Sequence, residues 1–310
     1  SSTGDEKPTY QPGYELRAKY TLFAEGCRGH LGKQLLQRFK LNASSGTQHY
    51  AIGLKELWDI PPEKAQPGKV VHALGWPLGR FAGTGGGSFL YHLENNQVSL
   101  GLIVDLSYSN PYFSPFDEMQ RWKHHPAIAS HLSGGRRVAY GARAIVKGGF
   151  PALPKLTFPG GALIGDDAGF LNVLKVKGSH TAMKSGMLGA EAVFEAVRSG
   201  STVADIDLQE RFGSSWLYDE LYCSRNAGPA LHKFGMFFGS AYSVFEQAFT
   251  RGKHPFTLRD KIPDHDTLKP AADCNPIDYP KPDGTLYVDE LSSVFLSSTI
   301  HVEDEPCHLT

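Results

Sequence analysis

Only four cysteines, at positions 27, 223, 274 and 307, occur in these 310 residues, and no two of them form a Cys-x-x-Cys pair. The chain by itself therefore cannot hold a cysteine-ligated zinc ion or an iron–sulfur cluster, both of which need clustered thiolates. Free thiols in a reducing compartment are the plain reading. Charge of one sign is not in excess either: 31 Lys and Arg stand against 32 Asp and Glu, a net charge of −1. That balance argues against nucleic-acid binding, which draws on a basic surplus. No run reaches the about 18–20 consecutive apolar residues of a membrane-crossing helix. No signal or transit peptide, internal repeat or low-complexity stretch is evident. The chain opens on the polar Ser1 to Pro8 and stops at His308-Leu309-Thr310 without a helix cap, so both ends read as cuts inside a longer protein.

What is present is a globular composition, 41% hydrophobic and 20% charged, in a length that suits one large domain or two moderate ones. Tyr14 to Glu25 reads as a strand: Leu16 to Ala24 alternates and then turns wholly apolar, until Gly26 and Gly29 break it. Leu31 to Phe39 reads as a helix. Between Tyr50 and Val104, short strands at Ala51–Trp58, Val70–Trp76, Ser88–His92 and Val98–Val104 alternate with Pro/Gly turns, as in an antiparallel sheet inserted into a larger fold. Phe116 to His124 reads as a short helix.

A second apolar strand, Ala162-Leu163-Ile164, runs into Gly165-Asp166-Asp167-Ala168-Gly169. A helix follows from Ser179 to Arg198, with Met183, Met187, Ala190, Phe194 and Val197 at three- and four-residue spacing and Gly200 as its stop. Helical sequence continues after Asp205, and Pro255 to Pro282 is a Pro-rich loop. A buried strand that delivers Asp166 to its end beside glycines can offer a carboxylate to a ribityl or ribose hydroxyl. The N–H groups where Lys177-Gly178-Ser179-His180-Thr181 opens the long helix suit an electron-rich ring carbonyl or an anion. An ordinary capped strand–turn–helix would read the same way.

Several blocks together resemble one family. Thr21 to Gly29, Gly53 to Trp58, Gly75-Trp76-Pro77-Leu78, Gly86 to His92, Gln120 to Pro126, Ala139 to Ala144, Pro154 to Gly161 and His180 to Gly186 are similar, in order, to electron-transfer-flavoprotein:ubiquinone oxidoreductases. Leu268-Lys269-Pro270-Ala271, Tyr279 to Gly284 and Leu291 to Val294 extend the resemblance to nearly the whole chain. It implies an α/β (α+β) fold: part of an FAD-binding domain of the glutathione-reductase/hydroxylase type, with an inserted antiparallel β-sheet quinone-binding domain. The expected divisions are 1–48 and 146–204 for parts of the FAD-binding domain, 49–145 for the ubiquinone-binding sheet and 205–254 for a helical, membrane- and quinone-contacting region. Residues 255–310 are expected to be a Pro-rich segment leading to an iron–sulfur domain that is missing, as is the G-x-G-x-x-G Rossmann unit.

The resemblance further implies a membrane enzyme that passes electrons from reduced electron-transfer flavoprotein to ubiquinone through FAD and a [4Fe–4S] cluster, the cluster being a feature of the full-length protein only. The expected location is the bacterial cytoplasmic or mitochondrial inner membrane, held peripherally or monotopically, and the fragment alone is expected to be inactive. For FAD, Gly26, Arg28, Gly165, Asp166, Gly169, Gly178, Ser179 and His180 are the candidates, with Asp166 as the ribityl contact. Some relatives carry Cys-Ser-Pro where this chain has Asp166-Asp167-Ala168. Gly86 and Gly87 match the glycines that contact the quinone head group through the backbone. Phe234, Phe237, Phe238, Tyr242 and Phe245, on a helix expected from Leu231 to Arg251, are candidates for membrane and isoprenoid contact. His92 and His180 are candidate proton sources, Tyr140 and Arg143 are read as sheet and packing residues, and no metal site is expected, the adjacent His124 and His125 pointing apart. An FAD-dependent lipid reductase or hydroxylase of the geranylgeranyl-reductase type is the rival reading; a non-catalytic membrane protein on the same scaffold is another.

Overall fold

The computed structural model describes residues 1–78, 84–175, 177–200 and 206–306. Cys307, the 308–310 end and the expected boundary at 204–205 lie outside them. Two sheets organise the chain. In the first, β1 (Thr21–Phe23) lies parallel to β8 (Gly161–Leu163), which turns back antiparallel onto β7 (Thr157–Phe158). Helices α1 (His30–Phe39), α5 (Ser179–Arg198), α6 (Leu208–Gly213) and α7 (Trp216–Cys223) surround it. Leu163, Phe158, Phe170, Leu188, Phe212 and Leu217 form the core of this half. The strand expected over Tyr14 to Glu25 is only three residues long here, and Tyr14 and Leu16 are almost fully exposed. An alternating pattern makes a strand only where a neighbour supplies a ladder, and β1 meets β8 over three residues.

The second sheet is antiparallel, in the order β3 (Val70–Leu74), β4 (Gly86–His92), β5 (Gln97–Asp105), β2 (Tyr50–Asp59), β6 (Arg136–Val146). Along its strands the even-numbered residues Leu54, Trp58, Leu90, Leu100 and Leu102 face a core closed by Phe116, Met119, Trp122 and Leu132. These come from α2 (Pro115–Lys123), started by the Ser114 side chain, and α3 (Pro126–Leu132). Beyond α8 (Ala227–Phe245) and a π-helical turn at Glu246–Thr250, the Pro-rich segment runs back over this half. Tyr279 donates to Glu118, Tyr287 to Asp117, and Arg137 to Ser293 of α9 (Glu290–Leu296). The Pro-rich segment is thus strapped onto the sheet.

α5 matches its expected span, but its apolar stripe is not the buried face. Met183 and Phe194 are 66% and 63% exposed, and the buried positions are Thr181, Ser185, Leu188, Gly189 and Ala192. Small residues let α5 approach the sheet closely: Ser185 accepts the Gly165 N–H at 2.8 Å and Thr181 donates to the Phe170 carbonyl at 2.6 Å. Periodicity tells which residues share a face; close backbone approach decided which face went inward.

Candidate functional site

The face of the five-stranded sheet that carries Gly53, Gly87 and Ile103 floors a cavity of about 2270 Å³. Register builds this floor from distant stretches of chain. Leu74, Gly87, Ile103, Gly53 and Arg143 form one row across all five strands, and His72, Phe89, Gly101, Lys55 and Gly141 form the next. All of these except Gly101 line the cavity. Arg143, read from sequence as a packing residue, therefore belongs to the site. The signal for it was its period-two spacing with Gly141 and Ile145.

The glycines here have different reasons to be glycine. Gly86 has φ +151°, and a Cβ on it would lie 2.1 Å from the Ile103 carbonyl oxygen; on Gly87 it would meet the Ala73 oxygen at 2.9 Å. Strand packing alone forbids a side chain at both. A Cβ on Gly53 would meet only Arg143 O at 3.7 Å, and on Gly141 nothing within 4 Å. These two leave bare peptide facing open space, where a flat ring can lie against the backbone.

The far wall comes from α8, which is not the continuous helix expected from Leu231 to Arg251. Gly235 sits at φ 72°, ψ 175° and breaks it, because that conformation cannot continue the helical hydrogen-bond ladder. Phe234 and Phe237, either side of the break, line the cavity. Phe238 and Phe245 are exposed outside it. Tyr242 packs on Phe234 and His254, its hydroxyl 3.5 Å from Glu246.

The flavin-motif candidates gather at the end of the first sheet rather than in the cavity lining. Gly26 is at φ 86° with open space at its Cβ, and Arg28 lies 5.2 Å over the Tyr50 ring. Asp166 is half-buried; burial pushes its carboxyl up and the Val146 N–H pulls it back. Burial and Asp166 push the neighbouring Cys27 thiol up to about 11. Gly165 and Gly169 take φ 60° and 90° around the short α4 (Gly165–Ala168). At the start of α5, Gly178 and Ser179 provide no side-chain cap, so first-turn N–H groups stay available. His180 is engaged: Nε2 lies 2.7 Å from Glu220 Oε1 and the ring stacks on Trp216. Although burial pushes Glu220 up, hydrogen bonds from His180, Asn172 and Lys175 hold it at about 2. Leu171 and Val173 pack with Cys27 and Tyr50 and also line the cavity, joining this motif to the floor.

His92 is no proton source for this cavity. It lies on the even face, its Nε2 2.9 Å from His131 Nδ1. His124 turns to Asp283 and His125 caps α3. Sequence reading missed His49, Asp105, Lys147, His232 and Asp260, which all line the cavity. They come from five separate stretches, so no motif marks them. Donor atoms of His49, His232 and Asp260 lie within 4.8 Å of one another. His232 Nδ1 and Asp260 Oδ2 are in direct hydrogen-bond contact at 2.7 Å.

Residues 50–145, which are this sheet, match the family described as ETF-QO, ubiquinone-binding. The electron transfer flavoprotein-ubiquinone oxidoreductase of Pseudomonas aeruginosa is 61% identical over 302 residues, covering 97% of this chain and 54% of that protein. The mitochondrial protein of the same name from Bos taurus is 52% identical over 316 residues, covering 99% and 51%. In fold, a geranylgeranyl bacteriochlorophyll reductase-like structure from Thermoplasma acidophilum matches 79% of this chain and 57% of that one, with a TM-score of 0.53 at 17% identity. Over residues 50–145 the chain thus matches the ubiquinone-binding family, and over nearly all its length it is similar to the electron transfer flavoprotein-ubiquinone oxidoreductases, spanning about half the length of those proteins.

Proposed function

We propose that this chain forms the quinone site and part of the FAD site of an enzyme that passes electrons from reduced electron-transfer flavoprotein to ubiquinone. The observation that carries this reading is that the matched sheet, residues 50–145, is the floor of the cavity. The sheet would receive the quinone ring on the row Gly87–Ile103–Gly53, with Gly141 beside it and backbone N–H groups near Gly86 and Gly87 directed to the ring oxygens. Phe234 and Phe237 would bound the isoprenoid end. Ring burial against Ile103, Leu74 and Phe89 supplies affinity, and peptide groups supply orientation.

The residues present fit FAD. The uncapped start of α5 at Gly178-Ser179, the open Gly26 turn, Arg28 and the Asp166 carboxylate match the polar groups of that cofactor. When bound, FAD would supply the two-electron chemistry. Asp166 would hold a ribityl hydroxyl and the α5 terminus a ring carbonyl. A [4Fe–4S] cluster would have to be ligated elsewhere in a longer protein, because the four cysteines of this chain are far apart in sequence.

Among the described residues no helix is long and apolar enough to cross a membrane. Phe238, Phe245 and Phe249 are nevertheless exposed beside Arg251 and Lys253, a grouping that suits monotopic attachment to a bacterial cytoplasmic or mitochondrial inner membrane.

The test is an absorbance spectrum of the complete protein, before and after addition of reduced electron-transfer flavoprotein and then a soluble ubiquinone. A flavin band bleached by the donor and restored by the quinone is expected. A flavin indifferent to both would overturn the reading and favour the lipid-reductase rival.

A further inference from the structure

A group of titratable side chains is buried in the cavity wall beside the quinone floor. His49 is 6% exposed. Its Nδ1 lies 2.7 Å from Asp264 Oδ1, and the other oxygen of Asp264 accepts the Tyr50 N–H at 2.7 Å. His49 Nε2 has no hydrogen-bond partner and lies 3.4 Å from Asp260 Oδ2. The same Asp260 oxygen is 2.7 Å from His232 Nδ1, and the two imidazoles meet edge to face at 4.5 Å. On the floor side, both carboxylate oxygens of Asp105 hold Lys147. The Asp105 N–H donates to the Gly85 carbonyl, and its neighbour Val104 pairs with Gly86. The two groups meet through the backbone, where the Lys147 N–H donates to the His49 carbonyl at 2.6 Å. Arg259, Lys261 and Lys233 are the other charged groups on this wall.

Burying this many ionisable groups is costly, and a packing role does not need an unpartnered histidine nitrogen. We propose that His232, held by Asp260 and backed by His49 and Asp264, is the proton donor for quinol formation. The inference rests on the quinone reading above. Conversion of a quinone to a quinol takes up two electrons and two protons. The electrons are those supplied by reduced FAD. At the quinone oxygen nearer this wall, the Nε2–H bond of the His232 imidazolium breaks and an O–H bond forms; the oxygen across the ring takes its proton from solvent. The neutral imidazole keeps its Nδ1 proton on Asp260. It regains the Nε2 proton from solvent once the quinol leaves, while His49, fixed by Asp264, lies against Asp260 on the Nδ1 side.

The electrostatics support the role. Burial lowers the His232 pKa below the usual histidine value; positive charge at His49 and Lys147 adds to this, while Asp105 and the Asp260 hydrogen bond oppose it. The imidazolium is thereby made a stronger acid. Asp260 is pushed up by burial, but the Ile262 N–H, His232 and His49 together hold it below the ordinary carboxylate value, so it remains the anionic anchor.

The experiment compares two acceptors in the complete, flavin-loaded enzyme with reduced electron-transfer flavoprotein as donor. A short-chain ubiquinone needs protons and ferricenium does not. His232→Gln is expected to slow ubiquinone reduction about 100-fold and move its pH profile, leaving ferricenium reduction unchanged; His49→Gln should lower it less. In parallel, NMR titration of the flavin-free protein should show the His232 ring titrating below the ordinary histidine range, rising in Lys147→Met and responding to the ubiquinone analogue. Unchanged ubiquinone turnover and pH profile in His232→Gln would overturn the proposal, as would an equal fall with both acceptors. Wild-type enzyme that reduces ferricenium but no quinone would overturn the quinone reading itself.

Discussion

Glu56 Oε2 lies 2.9 Å from Lys123 Nζ, and both side chains are completely buried beneath the cavity floor. The same carboxylate accepts Arg137 at 3.1 Å and the Trp58 indole N–H at 2.8 Å. Burial lowers the Lys123 pKa, which shows how much this ammonium depends on its partner. Removing one member of such a group strands charge in a dry interior. Glu56→Gln, which strands two cations, is expected to cost about 3–5 kcal/mol of folding free energy. Urea denaturation checks this, and a loss under about 1 kcal/mol would contradict it.

The two classes of glycine on the floor separate stability from binding. Gly141→Val fills open space on a strand, and should stabilise the protein by up to about 1 kcal/mol while weakening quinone binding. Gly86→Ala puts a Cβ against the Ile103 carbonyl and should destabilise by about 1–3 kcal/mol. Thermal melts paired with quinone titrations check both. Gly141→Val protein that binds quinone normally would place the ring elsewhere.

Asp167 gives a pH signature. Burial, then Glu25, raises its carboxyl to about 6 from the 3.8 of an unfolded chain, and its Oδ2 is buried without a hydrogen bond. Between those values the folded state binds more protons than the unfolded one, so stability falls as pH rises from about 4 to 6. Above that window the penalty is complete; below it there is none. Asp167→Asn should therefore raise the thermal midpoint more at pH 7.5 than at pH 4. An equal difference at both pH values would contradict this.

Membrane contact is checked on the outer aromatic side chains. Phe238→Ser with Phe245→Ser should leave the melting temperature unchanged, since both rings are exposed, and reduce binding to liposomes roughly tenfold or more. Unaltered partitioning would move the attachment surface away from α8.

Four strands of the larger sheet and α5 were legible in the sequence because each has its own period and its own stops: Pro and Gly around 60–70, Gly200 after Arg198; β6 was glimpsed only in Tyr140 and Arg143 as sheet residues. The kink in α8 was not, because Gly235 is one permissive residue in an otherwise helical run, and propensity alone does not break a helix there. β1 was overextended because alternation cannot report whether a neighbouring strand exists. Within the site, Gly86 and Gly87 stood out as a block, whereas Gly53 and Gly141 gain meaning only when register sets them on one face. His49 and His232 are 183 positions apart by residue number, and only the path of the segment after α8 brings them together.

The row Leu74–Gly87–Ile103–Gly53–Arg143 has a consequence for how the sequence can change over time. Five separate strands each contribute one residue to it, and side chains alternate faces at every step. One residue inserted within β2 ahead of Gly53 would put Ile52 in the position of Gly53 and push core side chains into the cavity. The same insertion in the turn at Glu94–Asn96 would leave every row aligned. Length variation among functional descendants of this chain should therefore collect in the turns and be nearly absent from the strands.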